Sequence, residues 1–181
     1  MYRLTIRSIT VGVWGFRKIK GSNPPEIFDR LRINHPRVVI QIINAKFVAG
    51  LDHVSKIAYQ VLIDRQRKKL LVHKEDLHLL MKMTCQDQID QAIKVGGIRN
   101  GLMDVVVIGL GQKKDIEGVS QTLNDLFGRD FNETIHLLPS RQKFLMSFHK
   151  IPKDLVIRIE KRGKDITDIL VEKAALLCLQ D

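Results

Sequence analysis

The stretch Val38-Val39-Ile40-Gln41-Ile42-Ile43-Asn44-Ala45-Lys46-Phe47-Val48 is rich in β-branched residues and nearly continuously apolar. Such a run suits a strand buried on both faces, and Gly50 closes it. A strand hidden on both sides needs covering layers, and the flanking sequence supplies them. Asp52 stands where an N-cap belongs, and Val54, Ile57, Ala58, Val61 and Leu62 then recur along one helical face. Residues 103–108 form another apolar strand, followed by an amphipathic helix around Ile116, Val119, Leu123, Leu126 and Phe127.

Upstream, Tyr2, Leu4 and Ile6, then Ile9, Val11 and Val13, keep the period of two of half-buried strands. Trp14-Gly15 is expected to interrupt them, Gly21-Ser22-Asn23-Pro24-Pro25 marks a loop, and residues 26–32 form a short helix ended by His35-Pro36. Residues 77–83 read as a second inner strand. Residues 86–95 form a short helix with Ile89, Ala92 and Ile93 inward and Gly96-Gly97 as its stop. Residues 134–138 and 155–159 are expected as edge strands, with a short helix near 144–148 between them. The last helix starts near Lys164-Asp165 and runs to about Leu179. The alternation predicts a single α/β domain spanning residues 1–181, with helices covering a mixed β-sheet.

Composition narrows the function. No apolar run approaches the roughly 20 residues that cross a bilayer, and the N-terminus lacks the apolar block of a signal peptide, so a cytoplasmic protein without a membrane partner is expected. Of 30 basic and 20 acidic side chains, residues 1–75 hold fifteen basic and five acidic, while residues 76–181 hold fifteen of each. The whole excess of +10 therefore lies in the first two-fifths of the chain. A concentrated positive field attracts polyanions such as RNA. Arg65, Arg67, Lys68 and Lys69 form its densest cluster; they also complement the dipole at a helix C-terminus.

No catalytic constellation can be assembled. Val105-Val106-Val107-Ile108-Gly109-Leu110-Gly111 enters like a dinucleotide site, but Lys114 occupies the position of the third glycine. No Walker-type loop, GxSxG nucleophile or metal-type spacing of His and Cys is present, and Cys85 and Cys178 lie far apart. The reading is thus a non-enzymatic protein with no cofactor, no metal and no small-molecule substrate of its own. In the last helix, Ala174-Ala175-Leu176-Leu177-Cys178-Leu179 covers every direction around the axis, and Ile166, Ile169, Leu170 and Val171 widen the stripe. Either this apolar C-terminal helix is buried on all sides within the domain or a partner closes one face; for a terminal helix the partner is favoured.

An ordered set of residues resembles a known family. Ile43-Asn44-Ala45, Val48-Ala49, His53-Val54 and Ala58 are followed by Lys82, by Gln86-Asp87-Gln88-Ile89 with Ala92, Ile93 and Gly97, and by Val171-Glu172-Lys173-Ala174-Ala175-Leu176. This is similar to the kinase-binding regulatory subunits of the KEOPS complex, the TPRKB-like family of animals and archaea, over roughly residues 38–108 and the last helix. The resemblance implies a subunit that is not the enzyme but binds and regulates the complex's atypical kinase/ATPase. It also implies help in recruiting tRNA, by its 3′ CCA end, for threonylcarbamoyl-adenosine modification. Carried onto this chain, it implies tRNA contacts by Asn44, His53, Lys82, Gln86 and Gln88, joined by the cations Arg65, Lys68 and Lys69. Ile169, Leu170, Ala174 and Leu177 would meet the kinase. Cys85 and Asp87 depart from the glycine and arginine the family carries; Asp87 repels a phosphate that an arginine would grip, which shifts RNA contact toward the N-terminal basic excess. Alternatives are a stand-alone basic RNA-binding protein and an α/β enzyme that uses a nucleotide at the 109–111 turn.

Overall fold

The computed structural model describes residues 1–21 and 23–179. The chain opens with β1 (Tyr2–Ile6), β2 (Ile9–Gly21), α1 (Pro24–Asn34) and β3 (Val39–Asn44), which runs into a 3-10 turn, Ala45–Phe47. Three helices follow, α2 (Leu51–Gln66), α3 (Glu75–Thr84) and α4 (Ile89–Gly96), and then β4 (Gly101–Gly111). Next come α5 (Lys113–Phe127), a 3-10 turn (Asn132–Thr134), α6 (Pro139–Phe148), α7 (Lys153–Glu160) and α8 (Ile166–Leu176), which ends in a 3-10 turn, Leu177–Leu179.

The four strands form one sheet in the order β1-β2-β4-β3, and every neighbouring pair is antiparallel. The expected mixed sheet is therefore corrected to a fully antiparallel one within an α/β domain. Strands β2, β3 and β4 are nonetheless buried on both faces over most of their length, whereas β1 alternates half-buried and exposed residues. Val11, Val13, Ile43, Val106, Ile108 and Leu110 join one core with α2, α3, α6 and α8. Trp14, Phe16, Ile42, Val105 and Val107 join a second core with α1 and α5. The alternation along β2 and β4 sorts side chains between the two layers, as the period of a strand requires.

Trp14-Gly15 does not break β2. Trp14 packs into the second core and donates from Nε1 to Ser120 Oγ at 3.0 Å. Gly12 and Gly109 face each other across β2 and β4; a Cβ on Gly12 would strike the Trp14 ring and Ile116, and one on Gly109 would crowd them. The glycine that suggested a nucleotide turn is thus a seat for an indole. Beyond Val13, β2 runs past the end of β1, and its free edge is covered instead by residues 130–131. The Gly15 amide donates to Asp130 Oδ1 at 2.9 Å and the Phe131 amide donates to Gly15 O at 2.7 Å, which satisfies an edge that would otherwise invite pairing.

Other expectations are corrected for local reasons. Residues 77–83 are helical because Leu and Met favour helix, Glu75 and Asp76 complement the first turn, and the element is buried almost all round, which erases its periodicity. Residues 155–159 belong to α7, where Leu155, Val156 and Ile159 turn inward and Ile157 remains outside. The 134–138 strand is replaced by the end of a 3-10 turn and an irregular loop that leads to Leu138, the N-cap of α6. Asp52 lies in the first turn of α2, whose N-cap is Gly50 at φ 104°.

The final helix is not apolar all round. Asp165 caps it in a capping box with Asp168, and Ile166, Leu170, Ala174 and Leu177 turn into the domain's own core. Lys56 Nζ bridges Asp52 and Asp168 at 2.7 and 2.8 Å, and Gln60 Nε2 donates to Val171 O at 2.8 Å, fixing α8 along α2. Outside lie Glu172, Lys173, Ala175 and Leu176. The side chain of Leu179 falls outside the described residues.

Gly15 offers a direct check of the edge seal. A Cβ there would stand 2.5 Å from Phe131 O and 2.8 Å from Thr134 Cβ. Gly15→Ala should destabilise the chain by about 1–3 kcal/mol, the usual range for overpacking, in urea unfolding. Wild-type stability in that variant would mean that residues 130–134 are not packed on β2.

Candidate nucleic-acid interface

The basic cluster at the end of α2 turns back on itself. The carbonyl of Ile63 accepts from the Arg67 amide at 2.9 Å, Lys68 takes the left-handed conformation (φ 55°), and the Lys69 amide donates to Asp64 O at 2.8 Å. The chain then crosses residues 70–74 to enter α3. This reversal leaves an open groove of about 630 Å³ between the end of α2, the loop, α3 and the start of α4. Arg65, Lys68, His73 and Lys74 rim it, and the half-buried Leu70, Leu71, Val72, Leu77 and Ile89 floor it. Arg65 Nε is held 3.3 Å from Glu75 Oε1, whereas Lys68 and Lys74 have no acidic partner among the described residues. Cations around an apolar floor suit a single nucleic-acid strand, whose phosphates need charge and whose bases need a flat apolar surface.

A buried polar hub supports the groove from behind. Asp64 Oδ2 lies 2.9 Å from Lys82 Nζ and 3.1 Å from His78 Nε2, and the Cys178 thiol reaches it at 3.5 Å. His78 Nδ1 accepts from the Leu71 amide at 3.1 Å, so the ring proton is on Nε2 and points at Asp64. Burial lowers the pKa of His78 and raises that of the Cys178 thiol. Asp64, His78 and Cys178 present ligand-type atoms within 4.8 Å of one another. Their chemistry is not that of a metal site: both imidazole nitrogens are engaged and an ammonium already neutralises the carboxylate.

The structure separates the sequence-predicted RNA residues into two sets. Arg65, Lys68 and Lys69 are exposed, and the first two rim the groove. Gln88 is exposed at the N-cap of α4, beside Ile89 in the floor; Gln86 is half-buried and donates to the carbonyls of Thr84 and Cys85 at 3.3 and 3.2 Å. Three residues are corrected. Lys82 is 1% exposed, because the segment is a buried helix and not a strand ending at the surface. Asn44 is buried and its side chain accepts from the Lys46 amide at 3.1 Å, capping the turn after β3. His53 is wholly buried, and its Nδ1 accepts from the Ala49 amide at 3.2 Å. None of the three can touch an RNA from these positions. Among the residues assigned to a kinase, Leu170, Ala174 and Leu177 are likewise core, and Ile169 is half-buried. His73 and Lys74 escaped the sequence reading because only the chain reversal brings them opposite Arg65 and Lys68.

No family model matches the chain, and no curated protein matches it.

The hub sets one prediction. Removing one member of a buried ion pair strands the other, at a cost of about 3–5 kcal/mol. Lys82→Met should lose stability on that scale, and Asp64→Leu added to it should recover part of the loss. Simple additivity of the two substitutions would show that the pair is not coupled.

The histidines set another. His53 is pushed down to about 3, first by burial and then by His149 and Lys56; His149 is pushed down to about 4, by burial and then by Lys173. Both are neutral when folded, while the unfolded chain protonates near 6.5. Stability is therefore unaffected above about pH 7 and falls as pH drops below 6.5, by about 1.4 kcal/mol per pH unit for each ring. His149 packs edge-on to Phe47 and Phe148, so His149→Phe should fold and flatten the decline between pH 6.5 and 5. An unchanged slope in urea unfolding would rule out His149 as a contributor.

Proposed function

We propose that the chain is a non-catalytic subunit of the KEOPS kinase-binding type, which holds tRNA along the α2–α3 groove and regulates the complex's atypical kinase/ATPase in the cytoplasm. The convergence of Arg65, Lys68, His73 and Lys74 around an apolar floor carries the RNA half of this reading. The floor gives unstacked bases a place, and the rim gives phosphates their charge. Cys85 adds support of another kind. It occupies the position where the family carries glycine, and its φ of 49° at the end of α3 is a conformation that glycine adopts without strain.

For the kinase half, burial of Leu170, Ala174 and Leu177 moves the contact to the other side of α8. Ala175 and Leu176 lie outside, flanked by Glu172 and Lys173, and Leu176 is 49% exposed. A partner that covers this strip would meet a small apolar patch with one charge of each sign at its edge.

Gel-shift titration of the full chain against a tRNA transcript, with and without its CCA end, tests the RNA half. Neutralising about five phosphates should give log affinity against log salt a slope of roughly −3.5. Arg65→Ala with Lys68→Ala should weaken binding and make that slope shallower. Equal affinity for the two transcripts would eliminate recognition of the tail. Leu176→Arg should leave the melting temperature intact and abolish co-purification with the kinase; if the kinase is retained normally, the α8 strip is not its contact. A stand-alone RNA-binding protein would bind the tRNA and recover no kinase at all.

A further inference from the structure

A second concave surface lies on the opposite face of the sheet, against α1 and α5. It begins with a bulge. Phe16 pairs with Val105 and Ile19 with Met103, so three steps along β2 match two along β4, and Arg17-Lys18 carries the extra residue. The Lys18 amide donates to Asp104 Oδ1 at 2.9 Å, which pins the bulge, and Lys18 takes a left-handed φ of 51°. Without the extra residue the side chains would alternate across the strand. With it, Arg17 and Lys18 are both exposed, Ile19 returns to the core, and Lys20 is exposed again.

These three cations meet the exposed Arg30 of α1 around a groove of about 400 Å³. Ile19, Ile27, Leu126 and Phe127 provide its apolar surface. Arg17 stacks over Phe131 at 5.9 Å, and no carboxylate pairs with the side chain of Arg17, Lys18, Lys20 or Arg30 among the described residues. Glu26, the one acid lining the groove, accepts from Asn23 Nδ2 at 2.9 Å. Four cations that share a groove with a single acid repel one another on balance, and the bulge that gathers them holds a lysine where glycine would be unstrained. The repulsion is relieved by an anion.

We propose that this groove is a second RNA-binding site, gripping a phosphodiester backbone through Arg17, Lys18, Lys20 and Arg30. A membrane surface is flat and does not reach a concave apolar floor. An acidic peptide would meet the cations but has no planar group for the Phe127 side of the groove. A nucleotide strand answers both features. The inference rests on the RNA half of the proposed function, and adds a contact on the face away from the α2–α3 groove.

The test is salt-dependent binding of the full chain to a tRNA transcript, in parallel with vesicles of phosphatidylserine and phosphatidylcholine and with a polyglutamate peptide. Arg17→Ala, Lys20→Ala and Arg30→Ala together should lower tRNA affinity at least about tenfold and make the salt slope shallower by about 2, three phosphate contacts' worth. Lys18→Gly removes the strain together with the charge. It should leave the melting temperature unchanged or higher while tRNA affinity falls several-fold, a combination that a purely structural lysine would not give. Unchanged affinity and slope in the triple variant, with binding still lost in Arg65→Ala/Lys68→Ala, would overturn this site alone. Binding of vesicles or polyglutamate that the triple variant abolishes, with tRNA unaffected, would overturn it in favour of those partners. A wild-type chain that binds no tRNA would overturn both this site and the RNA half of the proposed function.

Discussion

One carboxylate oxygen organises the helical side of this domain. Asp64 Oδ2, near the end of α2, faces Lys82 and His78 of α3 and Cys178 beyond α8. Three elements distant in sequence thus share a single acceptor. Burying an ammonium is costly unless geometry and hydrogen bonding are good, and here a fixed neutral imidazole supplies the additional donor. The same imidazole holds the Leu71 amide, so the loop after α2 is tethered to the hub as well. The groove at the surface is a consequence of that tether. Its cations can stand close together because the buried pair behind them determines where the chain reverses.

The strands with local alternation and the amphipathic α5 were legible in the sequence, because each has one environment per face. The α3 segment was not. Leu77 to Met83 offers apolar side chains in every direction, and a helix surrounded by α2, α4, α8 and β3 leaves no polar stripe to reveal its period. The position of Lys82 depends on the same distinction: a lysine at the end of a strand belongs at the surface, whereas a lysine one turn after His78 in a buried helix needs an acid. Asp64 supplies one from 18 positions upstream. Such a partner cannot be found by spacing. Asn44 and His53 followed the same course, since a polar residue beside a buried strand can serve the backbone as readily as a ligand, and here both do.

The last helix shows the limit of counting apolar directions. Six consecutive apolar residues suggested a face left for a partner, but the 3-10 turn over Leu177–Leu179 changes the angular step within the run. Leu177 and Ala174 fall inward, and Ala175 and Leu176 outward. Part of the apolar surplus therefore belongs to the fold and part remains outside. Charge was more legible than contact. The N-terminal excess is divided in space between the two sides of the sheet, by the chain reversal after α2 and by the bulge in β2.

The order of strands also governs how the chain can be made. β4 is the last strand synthesised, yet it is the inner neighbour of both β2 and β3, which have no pairing with each other. Until residue 111 has emerged, the β1–β2 hairpin and β3 lie in one nascent chain with no strand to join them, although α2, α3 and α4 are already present. The ladder that unites the domain closes a separation of about ninety residues along β2 and β4. Long-range closure of this kind slows folding and prolongs the exposure of β-rich apolar edges. The apolar stretch 38–48 is therefore also the segment with most to lose during synthesis, since β4 is the one strand that pairs with β3 among the described residues and takes that edge out of competition with other chains.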